Sequence, residues 1–183
     1  YGNRLHPSLD LMMATATPDE VAKFGLQPGD VILTKDSETA EDIGISAFVE
    51  DASPDMVCGY HLSLVRPQAA DGRYLYYALT STQARRQMTI AATGVTRYGL
   101  RSESVGSLMV WIPPLAEQRA IANYLDAETA RIDALIAKKQ QLIHLLNERI
   151  DAAIMEVVGG SVLVCPQGNP AVEIRRVLPK LNR

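Results

Sequence analysis

With only two cysteines, Cys58 and Cys165, far apart in 183 residues, the chain has no basis for a disulfide scaffold and no metal-ligand spacing. That scarcity points to a reduced, cytoplasmic protein. The three histidines, His6, His61 and His144, are equally scattered and read as structural or surface groups. No apolar run approaches the length of a bilayer span, which argues against a membrane protein. No signal-peptide pattern opens the chain, and its first residue is Tyr1, as expected of a fragment. A glycine-rich phosphate loop, a serine nucleophile elbow and a paired-carboxylate motif are all missing, so neither catalytic nor metal-binding residues are expected. Asp36, Glu38, Glu41 and Asp42 are the nearest thing to a metal cluster, and an acidic solvated loop accounts for them better.

What is present is an ordinary globular composition, 47% hydrophobic and 21% charged. The net charge of −3 and pI near 5.6 argue mildly against nucleic acid. The distribution argues the other way. Residues 10–55 hold eleven acids against Lys23 and Lys35, whereas residues 73–101 hold Arg73, Arg85, Arg86, Arg97 and Arg101 and no acid. A basic segment inside an acidic chain offers a phosphate-binding face.

Between Pro114 and Val157 no proline or glycine interrupts the sequence. Apolar residues recur there at steps of three, four and seven, the helical period. Ile121, Leu125, Ile132, Leu135, Leu142, Leu146 and Ile150 form a stripe on a helix of roughly 60 Å. So long a stripe calls for a partner helix. Glu128, Lys139 and Arg149 fall on the seam, so the packing is not a regular zipper. Glu128/Arg131 and His144/Glu148 are spaced to pair along the helix. Trp111 and Ile112 read as the end of a strand that Pro113-Pro114 stops. Pro114 suits the first helical position, and Gly159-Gly160 supplies a stop signal.

Residues 1–112 read as a small mixed α/β domain, making the whole an α+β protein. Thr17-Pro18-Asp19-Glu20 is a capping box, and Gly25 closes that helix. The Gln27-Pro28-Gly29-Asp30 turn feeds a strand, Val31 to Thr34. Further strands are expected at Ile43–Val49, Tyr60–Val65 and Val110–Ile112, and one helix from Arg73 to about Met88. Gly94 and Gly99 bracket a loop. The long helix occupies 113–158. Residues 159–183 read as a linker followed by strand-like alternation at Val172–Leu178, either a returning strand or the start of another domain.

The junction Ile112-Pro113-Pro114-Leu115-Ala116-Glu117-Gln118-Arg119-Ala120-Ile121-Ala122 resembles that of the specificity subunit of type I restriction-modification enzymes. The run Glu128 to Ile136, followed by Lys138-Lys139-Gln140-Gln141-Leu142-Ile143, is similar to the family's spacer helix. The resemblance is specific over 112–143 and diffuse before that. It implies a target-recognition domain over 1–112 and a conserved spacer helix over 113–158, about half of a full subunit. It further implies that the chain reads part of a bipartite sequence in double-stranded DNA without catalysis of its own. Modification subunits would methylate adenine with S-adenosylmethionine, and restriction subunits would use ATP and Mg2+. A half-length chain could pair its helix with a second copy as a homodimer.

The best DNA-contact candidates lie in Thr93–Arg101. Thr96 can donate to phosphate, Arg97 can take a guanine edge, and Tyr98 can pack on sugar or base. Arg101 closes the same loop. Lys35, Arg73, Arg85 and Arg86 are weaker candidates: Arg85 and Arg86 point about 100° apart on a helix, so at most one faces a groove, and a solvated surface is the commoner explanation. Two rivals remain open: a coiled-coil interaction protein with no DNA role, and an inactive fragment of a specificity subunit. The DNA target itself is not encoded in any residue-to-base rule.

Overall fold

Thr17 and Glu20 do close a capping box in the computed structural model, which describes residues 3–162 and the side chains of 3–158. The Glu20 amide donates to the Thr17 hydroxyl at 3.3 Å, and the Glu20 carboxylate accepts from the Thr17 amide at 2.8 Å. By internal contacts the chain divides into two units, Tyr1–Ile132 and Asp133–Arg183.

In the first unit the elements run β1 (Arg4–Leu5), α1 (Pro18–Phe24), β2 (Val31–Thr34), β3 (Asp36–Ser37), a 3-10 turn (Ala40–Asp42), β4 (Ser46–Val49), β5 (Leu62–Val65), α2 (Gly72–Thr80), α3 (Thr82–Ala91), β6 (Tyr98–Gly99) and α4 (Ser102–Gly106). A last helix, α5 (Leu115–Val162), begins in this unit and continues into the second. The main sheet has the order β1-β4-β2-β5. Val31 lies opposite Phe48 of β4 and Val65 of β5, both antiparallel, while β1 joins β4 in parallel. A separate small ribbon pairs β3 with β6, Asp36 opposite Gly99 and Ser37 opposite Tyr98.

Helix α2 packs on β4 and β2. Val31, Leu33, Ile43, Phe48, Leu75, Tyr76, Leu79, Ala84, Met88 and Leu100 make the core. Each large apolar side chain fully buried there contributes about 1.5–3 kcal/mol. The Pro-Gly-Asp turn has a further use. Asp30 is buried, and Arg66 reaches it from the end of β5 with Nε to Oδ1 at 2.8 Å and Nη2 to Oδ2 at 2.7 Å. This two-pronged pair fixes the turn to the edge of the sheet.

Four expectations need correction. The single helix from Arg73 is two helices, because Ser81 turns extended (φ −59°, ψ 149°). Its hydroxyl donates to the Ala78 carbonyl at 2.6 Å and accepts from the Ala84 amide at 3.3 Å, ending one helix and capping the next. Residues 110–112 form no strand. Prolines cut the ladder on one side, and helix side chains satisfy the backbone instead. Gln87 pairs both ways with Met109 at 2.9 Å, and the Tyr74 hydroxyl donates to the Trp111 carbonyl at 2.7 Å. Pro114 stands one residue before the helix, its carbonyl accepting from Gln118 at 3.0 Å. Finally, α5 runs through Gly159-Gly160 to Val162; glycine lowers helical propensity by about 1 kcal/mol but does not forbid the conformation. The proposed strand at Val172–Leu178 lies outside the described residues.

Candidate nucleic-acid interface

The segment from Thr93 to Gly99 closes on itself. The Thr93 and Gly99 backbones bond both ways, at 3.0 and 2.9 Å. Gly94 makes the closure possible. Its φ is +144°, and a Cβ there would stand 1.9 Å from the Arg97 carbonyl oxygen. The result lifts Val95, Thr96 and Arg97 into solvent, while Tyr98 is half-buried with its ring against the core. Tyr98, expected as a DNA contact, is thus in the first instance the anchor of the loop.

Backbone bonds bring two further segments alongside. The Lys35 amide donates to the His61 carbonyl at 3.0 Å, and the Leu100 amide to the Lys35 carbonyl at 2.7 Å. Four side chains therefore meet on one surface. Lys35 Nζ lies 4.7 Å from the centre of the Tyr60 ring, and Tyr60 meets His61 edge-on at 5.2 Å. His61 Nδ1 lies 3.2 Å from Arg97 Nη2. Tyr60 is 82% exposed, a large aromatic face held beside the Lys35 cation. An open groove of about 700 Å3 borders Lys35 and Tyr60, running past Phe24, Cys58, Leu62 and Leu64. Burial pushes the Cys58 thiol up, so it is no ready thiolate nucleophile.

The sequence candidates therefore separate. Lys35 and Arg97 come together through Tyr60 and His61, neither of which sequence reading singled out. The available signal was a Gly-Tyr-His run directly before a strand. Arg101 is exposed just beyond β6, and Thr96 is exposed at the tip. Arg86 is exposed on α3, and its neighbour Arg85 donates to the Glu41 carbonyl.

Arg73 does something different. From the first turn of α2 it donates to Asn123 and Asp126 of α5, both at 2.9 Å, and sits 3.6 Å from Asp71. Asp126 also accepts from the Tyr77 hydroxyl at 2.7 Å and from the Arg4 guanidinium. Burial would raise the Asp126 pKa, but the Tyr77 hydroxyl and the Arg4 and Arg73 cations outweigh it and hold the carboxyl below its ordinary range. Gln118, 2% exposed, completes the clamp. Its Oε1 accepts from the Asp71 amide at 2.9 Å, and its Nε2 donates to the Pro113 carbonyl at 2.7 Å. Gln118, Ala122, Asp126 and Thr129 recur every three or four residues, so one face of the first turns of α5 is committed to its own domain.

The apolar stripe lies beside that face. Ile121 and Leu125 are half-buried, and Ile132 and Leu135 are exposed. In the second unit Leu142, Leu146 and Ile150 are 56%, 48% and 55% exposed. Glu128 and Arg131 pair at 3.7 Å, and His144 and Glu148 at 3.3 Å, as their spacing predicted.

A family model described as the type I restriction modification DNA specificity domain matches residues 15–145. The StySPI specificity subunit of Salmonella potsdam, a type I restriction enzyme subunit, is 24% identical over 141 residues. The EcoKI specificity subunit of Escherichia coli K12 is likewise 24% identical over 141 residues. Each alignment covers 75% of this chain and 30% of the relative, so the chain spans under a third of the length of these curated relatives. A crystal structure of the type I restriction-modification S subunit of M. genitalium aligns with a TM-score of 0.47 and 22% identity, over 63% of this chain and 30% of that one.

Proposed function

Because the specificity-domain model matches residues 15–145 of 183, the chain belongs to the type I restriction-modification DNA specificity family, and we propose that it reads half of a bipartite DNA target. The observation that carries this reading is where the match falls. It takes in both the exposed cationic loop and the clamped start of α5, so the reader and its mount belong to one family unit.

In this reading Arg97, Lys35, Thr96 and Arg101 engage phosphates and base edges, and Tyr60 offers a stacking face. Helix α5 is the spacer. Its exposed residues Ile132, Leu135, Leu142, Leu146 and Ile150 pair with a second helix, which a second copy of this chain would supply. The polypeptide does no chemistry itself and needs no cofactor. Modification subunits carrying S-adenosylmethionine, and restriction subunits using ATP and Mg2+, would act on the DNA it selects in the cytoplasm.

The test is to sequence the methylome of cells expressing a cognate modification subunit with and without this chain. A methylated adenine motif that appears only with the chain is expected, and a symmetric bipartite motif would identify a homodimer of halves. Co-purification with the modification subunit and no new motif would overturn the reading.

The exposed apolar face of α5 favours one other reading, a helix-pairing protein with no role on DNA. Arg97→Glu separates the two. It should weaken binding to duplex DNA about tenfold at low salt and flatten the salt dependence by one to two charges, while leaving self-association intact. Unchanged DNA binding would favour the rival.

A further inference from the structure

His61 stands between two groups that make opposite demands on one nitrogen. Its Nδ1 lies 3.2 Å from Arg97 Nη2 and 3.3 Å from Asp36 Oδ2. A guanidinium only donates, so toward Arg97 the nitrogen must be a bare acceptor. A carboxylate only accepts, so toward Asp36 the same nitrogen must carry the proton. A neutral imidazole has one proton for its two nitrogens, so the two bonds belong to different tautomers and exclude each other.

The backbone builds this competition in. Asp36 is held opposite Gly99 in the β3–β6 ribbon, which sets Arg97 two residues from the register point. The Lys35 amide to the His61 carbonyl bond, at 3.0 Å, sets the ring beside Asp36. The Tyr60 ring, 84° to the imidazole, braces it from the side.

We propose that His61 is a positioning residue that holds Arg97 in the free chain and releases it to DNA by changing tautomer. The inference rests on the reading of Arg97 as a DNA contact. In the free chain the proton sits on Nε2, and Nδ1 accepts from Arg97. When a phosphate oxygen or guanine edge takes Arg97, Nε2 gives its proton to water and Nδ1 takes one from water. The new Nδ1–H then donates to Asp36. The His61 side chain is 57% exposed, so water reaches the ring to carry the proton exchange. On release the guanidinium exchanges His61 for DNA and the ring nitrogen exchanges Arg97 for Asp36, so neither loses a partner, and the carboxylate, left to solvent in the free chain, gains one. A ring without nitrogens would instead let Asp36 capture Arg97 directly and compete with DNA.

Long-range proton–nitrogen spectra of the labelled full chain read which ring nitrogen is protonated, with His61→Gln assigning the signals. The expected result is Nε2–H in the free chain, and Nδ1–H both in Arg97→Ala without DNA and in the parent with a mixed-sequence duplex at low salt. One tautomer in all three states overturns the proposal. In binding assays His61→Phe should weaken duplex affinity about fivefold, the size of one exposed ion pair formed in competition. Asp36→Asn should restore affinity in that background, and His61→Gln, able to donate and accept, should bind like the parent. A His61→Phe chain that binds as the parent does overturns the proposal. Arg97→Ala binding DNA like the parent overturns the release step along with the DNA reading. That failure is distinguishable, because the tautomer response to Arg97→Ala requires no DNA.

Discussion

Asp126 is the residue whose ionisation the fold most visibly uses. Tyr77, Arg73 and Arg4 converge on it and hold its pKa below the ordinary value. A depressed carboxylate stabilises the folded chain above the unfolded pKa, about 3.9, and loses that contribution as pH falls through the lower folded value. Asp126→Asn should therefore cost about 1 kcal/mol at neutral pH, a partly solvated cluster being screened. The two urea-denaturation curves should converge below pH about 4. Parallel curves would assign the acid sensitivity to other groups. Spacing along the long helix gives no sign of this role for Asp126. Its three partners come from β1 and α2, and no local pattern announces them.

At the scale of elements, the legible features were those whose causes are local. The Thr17–Glu20 box, the Val31–Thr34 strand and the long helical period each follow from neighbours within a few residues; the structure places the first two where they were read and forms the long helix with both ends shifted. The misread elements have causes distant in sequence or hidden in one side chain. Val110–Ile112 is an apolar, β-prone run that reads as a strand, yet Gln87 and Tyr74 hold the backbone at Met109 and Trp111 instead of a ladder. The helix from Arg73 breaks because a single hydroxyl serves two helix ends. In the candidate interface, charge counting found Lys35 and Arg97. It missed Tyr60 and His61, because what joins them is strand adjacency across 36 residues.

The loop that lifts Arg97 depends on Gly94 in the same way. Gly94→Ala should add about 2 kcal/mol of local strain, given its φ of +144° and the 1.9 Å clash with the Arg97 carbonyl. Amide exchange at Thr93 and Gly99 should accelerate, with the β2 amides unaffected. Equal protection in both chains would mean that the loop tolerates the side chain.

For the whole molecule, the two units predict separable failures. Leu142→Glu with Leu146→Glu places charge on the exposed stripe of the second unit. Sedimentation equilibrium should find the parent dimeric at micromolar concentration and the double variant monomeric, with the melting of the first unit unchanged. A parent that stays monomeric with its helix intact would remove pairing between copies and leave a different partner to cover the stripe.

The strap before α5 also carries the chain's one tryptophan. Trp111 is 66% exposed, and its carbonyl is fixed by the Tyr74 hydroxyl, so the indole stands in water on a backbone that does not wander. The molecule is thereby supplied with an optical reporter at the entry to α5. A partner that covers the strap should shift the emission to the blue, while a ligand confined to the Arg97 surface should leave the spectrum unchanged. Two titrations of one unlabelled sample would then distinguish an event at the strap from an event at the Arg97 surface.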